Sequence, residues 1–211
     1  MIAKGGSALR NSGKYFMALT FFCFLTGCQT IRLPSGPDVS KLGFMPNAPL
    51  ASVQVSDTRD KDKIGTIGAA QIIVKKADTV GMIQNYVLDF LYRQGINVVA
   101  APQLNFSQTE NIRSAAQMTN AQGVVKFELN ALRVNSIDLL LDPPTYEVDA
   151  LFVLYSKDGT CLFQEYIHGR KQSQALTEAG KGKAVGEAVN NALWTLEASQ
   201  GFKKAVSSLK S

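Results

Sequence analysis

The fold is decided by one long alternating stretch, VVKFELNALRV, which runs from Val124 to Val134. Apolar side chains stand at every second position from Val125 to Leu129, with charged side chains between them. Because successive side chains of a strand point to opposite faces, this pattern predicts a strand with one buried face.

Two more strands are predicted directly after it. The stretch from Tyr146 to Tyr155 repeats the alternation, and the stretch from Thr160 to Gly169 returns along it. Lys157-Asp158-Gly159 lies between them and is a hairpin turn signal. The sequence therefore predicts long antiparallel strands in the second half of the chain.

The first half alternates short strands with a helix. Strands are predicted at Ala51–Ser56, Gln71–Lys75 and Ile96–Ala100, and the glycines of Ile64–Gly68 predict a turn. An apolar stripe at helical spacing predicts a helix that begins at Asp78 or Thr79 and ends near Arg93; the stripe consists of Val80, Ile83, Val87 and Leu91. Gly95 suits a left-handed helix stop.

Three more helices complete the chain, and the element order predicts the fold class. They are predicted at Thr109–Met118, Lys181–Ser199 and Phe202–Leu209. Strands and helices segregated in this order predict an α+β fold, with a mostly antiparallel sheet and the helices packed on one face.

The charged run from Asp57 to Lys63 is predicted to be a solvated turn. Its three aspartates suggest a metal loop at first sight, but Arg59, Lys61 and Lys63 lie between them and would repel a cation. We therefore predict no metal site and no cofactor.

The amino-terminal segment has the order of a secretory signal peptide. Basic residues without any acidic partner come first, at Lys4, Arg10 and Lys14, and an apolar run follows from Tyr15 to Leu25. This run is shorter than the ~20 residues that a membrane-spanning helix needs. The next residues, Leu25-Thr26-Gly27-Cys28, resemble the bacterial lipobox, which implies cleavage after Gly27 and lipid attachment to Cys28.

These features divide the chain into three parts. We predict a signal peptide at 1–27, an acylated cysteine with a proline-rich tether at 28–50, and a single periplasmic domain at 51–211. Gln29 follows the cysteine where an aspartate would resemble an inner-membrane retention signal, so the outer membrane is favoured. The formal charge of +5 includes three basic residues of the first segment, and no clustered basic stripe for nucleic acid remains.

The remaining candidate residues indicate no reaction. His168 is the only histidine, which excludes a zinc site built on several histidines and leaves a polar residue at a strand end. Cys161 is expected to be a small core residue, and the Gly180–Lys183 stretch fails the phosphate-loop spacing and predicts a solvated helix start. Glu147, Asp149 and Glu165 are expected on the wet face of the sheet. We predict that the protein is not an enzyme.

Several pieces of the chain together carry a family resemblance. They are the Leu25–Cys28 motif, Asp57-x-Arg59 after the first strand, Gly95 before Ile-x-Val, the Val124–Val134 strand and the Ala188–Leu193 run. In these pieces the chain resembles the YajG-like family of bacterial outer-membrane lipoproteins, and more loosely the auxiliary lipoproteins of ABC-type lipid transporters. The resemblance implies a location in the envelope and no reaction; Pro143-Pro144 has no counterpart in it.

Two kinds of function remain open. The protein is either a binding or assembly module that docks on an envelope complex or carries an apolar ligand, or a passively anchored structural lipoprotein; a hydrolase is the third alternative. Three consecutive leucines, Leu139, Leu140 and Leu141, cannot all face one core from a strand. We predict that these leucines contact a partner. The alternative is that they cover one end of the hydrophobic core beneath the last helix.

Overall fold

The computed structural model describes residues 27–102, 104–106, 108–136, 142–175 and 177–210, and within them the fold is α+β. The strands are β1 (Gly27–Thr30), β2 (Leu50–Asp57), β3 (Lys63–Ile67), β4 (Ala70–Ile73), β5 (Asn97–Ala100), β6 (Gly123–Ser136), β7 (Thr145–Ser156) and β8 (Cys161–Gln172). The helices are α1 (Lys76–Arg93), α2 (Thr109–Thr119), α3 (Glu178–Ala198) and α4 (Gln200–Ser208).

Strand β6 is the centre of a mixed sheet, which contains parallel pairs as well as the predicted antiparallel ones. Along one side β6 pairs in parallel first with β2 and then, near its end, with β3. Along the other side it pairs with β7, and β7 pairs with β8, both antiparallel. Outside these strands, β5 lies beyond β2, and β4 and then β1 lie beyond β3. The edges are therefore β1, β5 and β8.

The main core lies between one face of the sheet and three helices, α1, α3 and α4. Phe202 of α4 is its aromatic centre, because the rings of Phe90, Phe152 and Phe163 each lie 5.7 Å from its ring. Helix α2 lies on the opposite face, where Ile112 packs in a second cluster with Val124. Most of the helical layer is on one face, as predicted, and α2 is the exception.

Strand β3 replaces the turn predicted at Ile64–Gly68. A Cβ atom at Gly65 would lie 2.0 Å from the carbonyl oxygen of Val134. Only a glycine lets β3 approach β6 this closely, so Gly65 marks a strand contact rather than a turn.

The proline-rich segment lies against the domain. Between Ile31 and Pro49 the described structure has one 3-10 turn, Val39–Lys41, and is otherwise irregular, as the prolines predict. However, Ile31 is fully buried, and Leu33 and Val39 pack against the main core. The sequence predicts no such contacts, because isolated apolar residues between prolines carry no periodicity.

Gly95 ends α1 in the left-handed conformation, as predicted, with φ +78°. The Ile96 amide donates to the Leu91 carbonyl at 3.2 Å, which is the Schellman pattern. A Cβ atom at Gly95 would meet nothing closer than the Lys210 Nζ at 3.9 Å. The cost of a side chain here is therefore a backbone cost.

We expect Gly95→Val to lower the free energy of unfolding by more than ~1 kcal/mol, because β-branched residues strongly disfavour this backbone conformation. Gly95→Asn is the matched control and should cost less, since asparagine adopts it more readily. Urea unfolding of the wild type and the two variants measures this difference. A Gly95→Val protein that unfolds at the wild-type midpoint would contradict the prediction.

Candidate anchor site and exposed charged face

Cys28, the predicted acylation site, lies exposed on the edge strand β1. It pairs with Gln71 of β4, and its Sγ lies 3.9 Å from the Gln71 Oε1. Gly27 precedes it in the same strand. Leu25 and Thr26, the other two residues of the cleavage motif, lie outside the described residues.

A side-chain hydrogen bond links helix α3 to β1. The Lys181 Nζ donates to the Gln29 Oε1 at 2.6 Å, and Lys181 is buried. Burial lowers the pKa of Lys181, and nearby Glu178 partly opposes this shift. The sequence predicts a solvated helix start here; for Lys181 that prediction is wrong, because its amine is covered by the strand that carries Cys28.

A polar row leads from Cys28 across the sheet on the face opposite the main core. The row consists of residues that are paired across neighbouring strands, namely Cys28 on β1, Gln71 on β4, Thr66 on β3, Asn135 on β6 and Thr145 on β7. The connection from β6 to β7 therefore leaves the sheet at the same end as Cys28. The predicted partner contact, Leu139 to Leu141, belongs to this connection and lies outside the described residues.

Three ionisable side chains from adjacent strands meet on that same polar face. The Asp149 carboxylate accepts from the Arg133 Nη1 at 2.5 Å and lies 2.7 Å from the His168 Nδ1. Partial burial raises the pKa of Asp149, but the hydrogen bonds and charges of His168 and Arg133 together hold it below the usual value. His168 thus lies in mid-strand, not at a strand end as predicted.

The acidic residues considered from the sequence do not form one site. Asp149 pairs with His168 across β7 and β8, whereas Glu165 pairs with Phe152, whose side chain lies in the main core. Because strand faces alternate, Glu165 and Asp149 start on opposite faces of the sheet. Glu165 therefore does not pair with Asp149, whereas Glu147 lies on the same face as Asp149, two residues away along β7.

The ionised Asp149 should stabilise the fold in a pH-dependent way. Its lowered folded-state pKa means that the contribution is present above the unfolded pKa of ~3.9 and is lost as pH falls through the folded pKa. The Asp149 side chain is 34% exposed, so the contribution should be under ~1 kcal/mol.

The measurement is urea unfolding of the wild type and Asp149→Asn as a function of pH. We expect the wild type to be more stable at neutral pH and the difference to vanish in acid. A difference that persists unchanged at the lowest pH would contradict this assignment.

The Asp57–Arg59 pair is buried, so the prediction of a solvated turn is wrong for these two residues. Their side chains are 2% and 4% exposed. The Arg59 guanidinium donates to both Asp57 oxygens, to the Val74 carbonyl at 3.3 Å and to the Thr79 Oγ1 at 3.0 Å. The pair joins the end of β2 to the residues after β4 and the first turn of α1.

Cys161 is exposed, so the prediction of a core residue is wrong. It begins β8 where the register with β7 shifts between Leu154 and Tyr155. The shift interrupts the alternation that would otherwise turn this position inward.

Within the described ranges, no helix is long and apolar enough to cross a membrane, and no three His, Cys, Asp or Glu side chains cluster as metal ligands.

Among solved structures, the comparisons find bacterial proteins with TM-scores below 0.5. No family model and no curated protein matches the sequence. A DUF330 protein from Xanthomonas campestris is 10% identical with a TM-score of 0.48, covering 86% of this chain and 98% of that chain. The PelC dodecamer from Paraburkholderia phytofirmans is 16% identical with a TM-score of 0.45, covering 81% of this chain and 98% of that chain.

A lipoprotein is also among the similar structures. Lipoprotein GNA1162 from Neisseria meningitidis is 15% identical with a TM-score of 0.41, covering 70% of this chain and 99% of that chain. At identities and TM-scores this low, none of these likenesses supports a conclusion about what this chain binds or does.

Proposed function

We propose that the protein is a lipid-anchored, non-catalytic binding or assembly module of the bacterial envelope. Acyl chains on Cys28 hold it at the outer membrane, facing the periplasm. The observation that carries the proposal is the position of Cys28. It ends a signal-peptide pattern in the sequence, and it lies exposed at the beginning of the folded domain. A modifying enzyme and a bilayer can both reach such a thiol.

Attachment at Cys28 would hold one end of the sheet close to the membrane. The chain joins the domain directly after Cys28, because Gln29 is bonded to α3 and Ile31 is buried. Lipid on Cys28 would therefore limit how far and in which direction the domain turns. The β7–β8 turn, at the opposite end of the meander, would point away from the bilayer.

The binding role is proposed for the connection between β6 and β7, which contains Leu139, Leu140 and Leu141. Asp142-Pro143-Pro144 follows the leucines and stiffens the chain, so little entropy is lost when a partner docks. The partner would be a protein complex of the envelope, reached from the same end of the sheet that carries Cys28.

We expect replacement of both Leu140 and Leu141 by serine to abolish cross-links to envelope proteins in intact cells and to leave the melting temperature unchanged. Met118→Ser is the matched control, since Met118 is exposed on α2, and it should keep the cross-links. A large fall in melting temperature would show that the leucines belong to the core. Unchanged cross-links would instead favour a passively anchored protein.

A further inference from the structure

The free edge of β5 borders a cavity. Neither the proposed lipid anchor at Cys28 nor the proposed partner contact at Leu139 to Leu141 involves this cavity. The Asn97 amide donates to the Pro49 carbonyl and the Ala101 amide to the Val53 carbonyl, both at 2.8 Å. Because backbone direction alternates along a strand, Val99 also faces β2, and the backbone groups of Val98 and Ala100 face outward. No hydrogen-bond partner for these outward groups occurs among the described residues.

Beside this edge lies a cavity of about 260 Å³ that is lined by uncharged, mostly apolar residues. Phe44, Leu88, Tyr92 and Val98 are among them. Phe44, one of the lining residues, is 77% exposed, a large fraction for an aromatic side chain. A second, shallower cavity of about 670 Å³ shares Leu88 and Ala100 with the first and continues along α1.

One wall of the cavity, the segment that carries Phe44, is held against β5 by hydrogen bonds within the protein. The Asn97 side chain accepts from the Met45 amide at 2.9 Å and donates to the carbonyls of Met45 and Ala48 at 2.8 and 3.2 Å. Asn97 itself is buried. The segment that carries Phe44 is therefore held beside β5, and little further entropy is lost when a ligand binds there.

The edge strand β8 is protected in ways that β5 is not. Strand β8 carries exposed His168 and Arg170, and the Asn191 Nδ2 already donates to the Arg170 carbonyl at 2.9 Å. Charged residues and capped carbonyls discourage strand addition. The sequence of β5, Asn97–Ala100, contains no charge and no proline.

We propose that β5 and the adjoining cavity bind an extended, uncharged segment of a partner polypeptide, which adds to the sheet as a strand and places one apolar side chain against Phe44 and Leu88. Main-chain hydrogen bonds to Val98 and Ala100 give the affinity, and the cavity selects the side chain. An acyl chain would fill the cavity but leave those backbone groups desolvated without partners. A charged side chain would lose its hydration there for the same reason.

The inference rests on the proposed binding function and names a second contact for it. The experiment uses the protein as purified from membranes in detergent micelles, and a phage-displayed library of random octapeptides as the probe. We expect the selected peptides to carry an apolar residue in a β-favouring sequence. Replacing one peptide amide by its N-methyl form should weaken binding about tenfold or more.

Variants of the protein locate the contact. Ala100→Pro removes only an outward amide, and Phe44→Ser removes an exposed ring; each should weaken binding about tenfold or more. Tyr166→Ser is the matched control, because Tyr166 is exposed on β8, and it should bind normally. If Ala100→Pro fails to fold, Phe44→Ser and the N-methylated peptides still decide the question.

Three results would overturn the inference. One is a library that yields no binder, or binders that are insensitive to these changes. Another is self-association in sedimentation that Ala100→Pro abolishes, which would mean that a second copy occupies the edge. The third is displacement of the peptide by a fluorescent fatty acid that binds Ala100→Pro normally. None of these depends on Cys28, so failure here leaves the lipid anchor standing, and loss of the anchor leaves peptide binding measurable.

Discussion

Cys28→Ser is expected to abolish incorporation of a fatty-acid label, to leave an uncleaved or soluble precursor, and to abolish stable attachment to washed membranes. A serine hydroxyl cannot replace the thiol that takes the lipid in the lipobox reaction. Each methylene buried in the bilayer contributes ~0.8 kcal/mol, so several acyl chains anchor strongly and their loss is severe. No apolar run after Cys28 approaches the ~20 residues of a membrane span.

Cys161→Ser is the matched control for this prediction. Cys161 is the other exposed thiol of the described chain, and its replacement should leave labelling and attachment unchanged. Label on the Cys28→Ser protein would show that the lipid is elsewhere or that the attachment does not depend on this cysteine.

Arg59→Ala is expected to cost roughly 3–5 kcal/mol of unfolding free energy, because it leaves the Asp57 carboxylate buried without its partner. The Asp57 side chain is almost fully buried, so water cannot take over the lost hydrogen bonds. For a domain of this size the melting temperature should fall by roughly 10 °C. Thermal melts followed by circular dichroism measure it.

A double variant separates the buried charge from the packing. Asp57→Leu combined with Arg59→Met removes both charges, and apolar residues of similar volume often restore stability at such sites. We expect the double variant to melt above Arg59→Ala. If Arg59→Ala melts with the wild type, the ion pair does not hold β2 to α1.

The parts of the fold that follow a local period can be predicted from the sequence. The meander from β6 to β8 alternates along most of β6 and β7, and α1 carries an apolar stripe that ends at a glycine. These signals need no knowledge of the rest of the chain, because a half-buried strand and a half-buried helix each impose their own spacing.

The parts that depend on contacts between distant residues cannot be predicted in this way. The sequence predicts Gly65 to be a turn residue, but the structure places Val134 directly beside it. The sequence predicts Arg59 to be solvated, but the structure places Thr79 and Val74 around its guanidinium. The sequence offers one signal for Arg59, its position two residues after Asp57. The sequence offers no such signal for the burial of Lys181, because its hydrogen-bond partner, Gln29, is more than half of the chain away in sequence.

The candidate site, like the fold, can be predicted only in part from the sequence. The lipobox pattern can be recognised in the sequence, since charge, apolar length and cysteine fall in order. The place of Cys28 in a strand of the sheet cannot, because β1 is only four residues long and contains no alternation. The uncapped β5 edge and its cavity also emerge only when residues near Phe44, Leu88 and Val98 come together.

The most direct test of the account is mass spectrometry of the amino-terminal peptide from the protein purified out of membranes. We predict a chain that begins at Cys28 and carries a diacylglyceryl group on its sulfur. An unmodified Cys28, or a mature chain that retains Leu25 to Gly27, would contradict the central claim that this thiol anchors the domain.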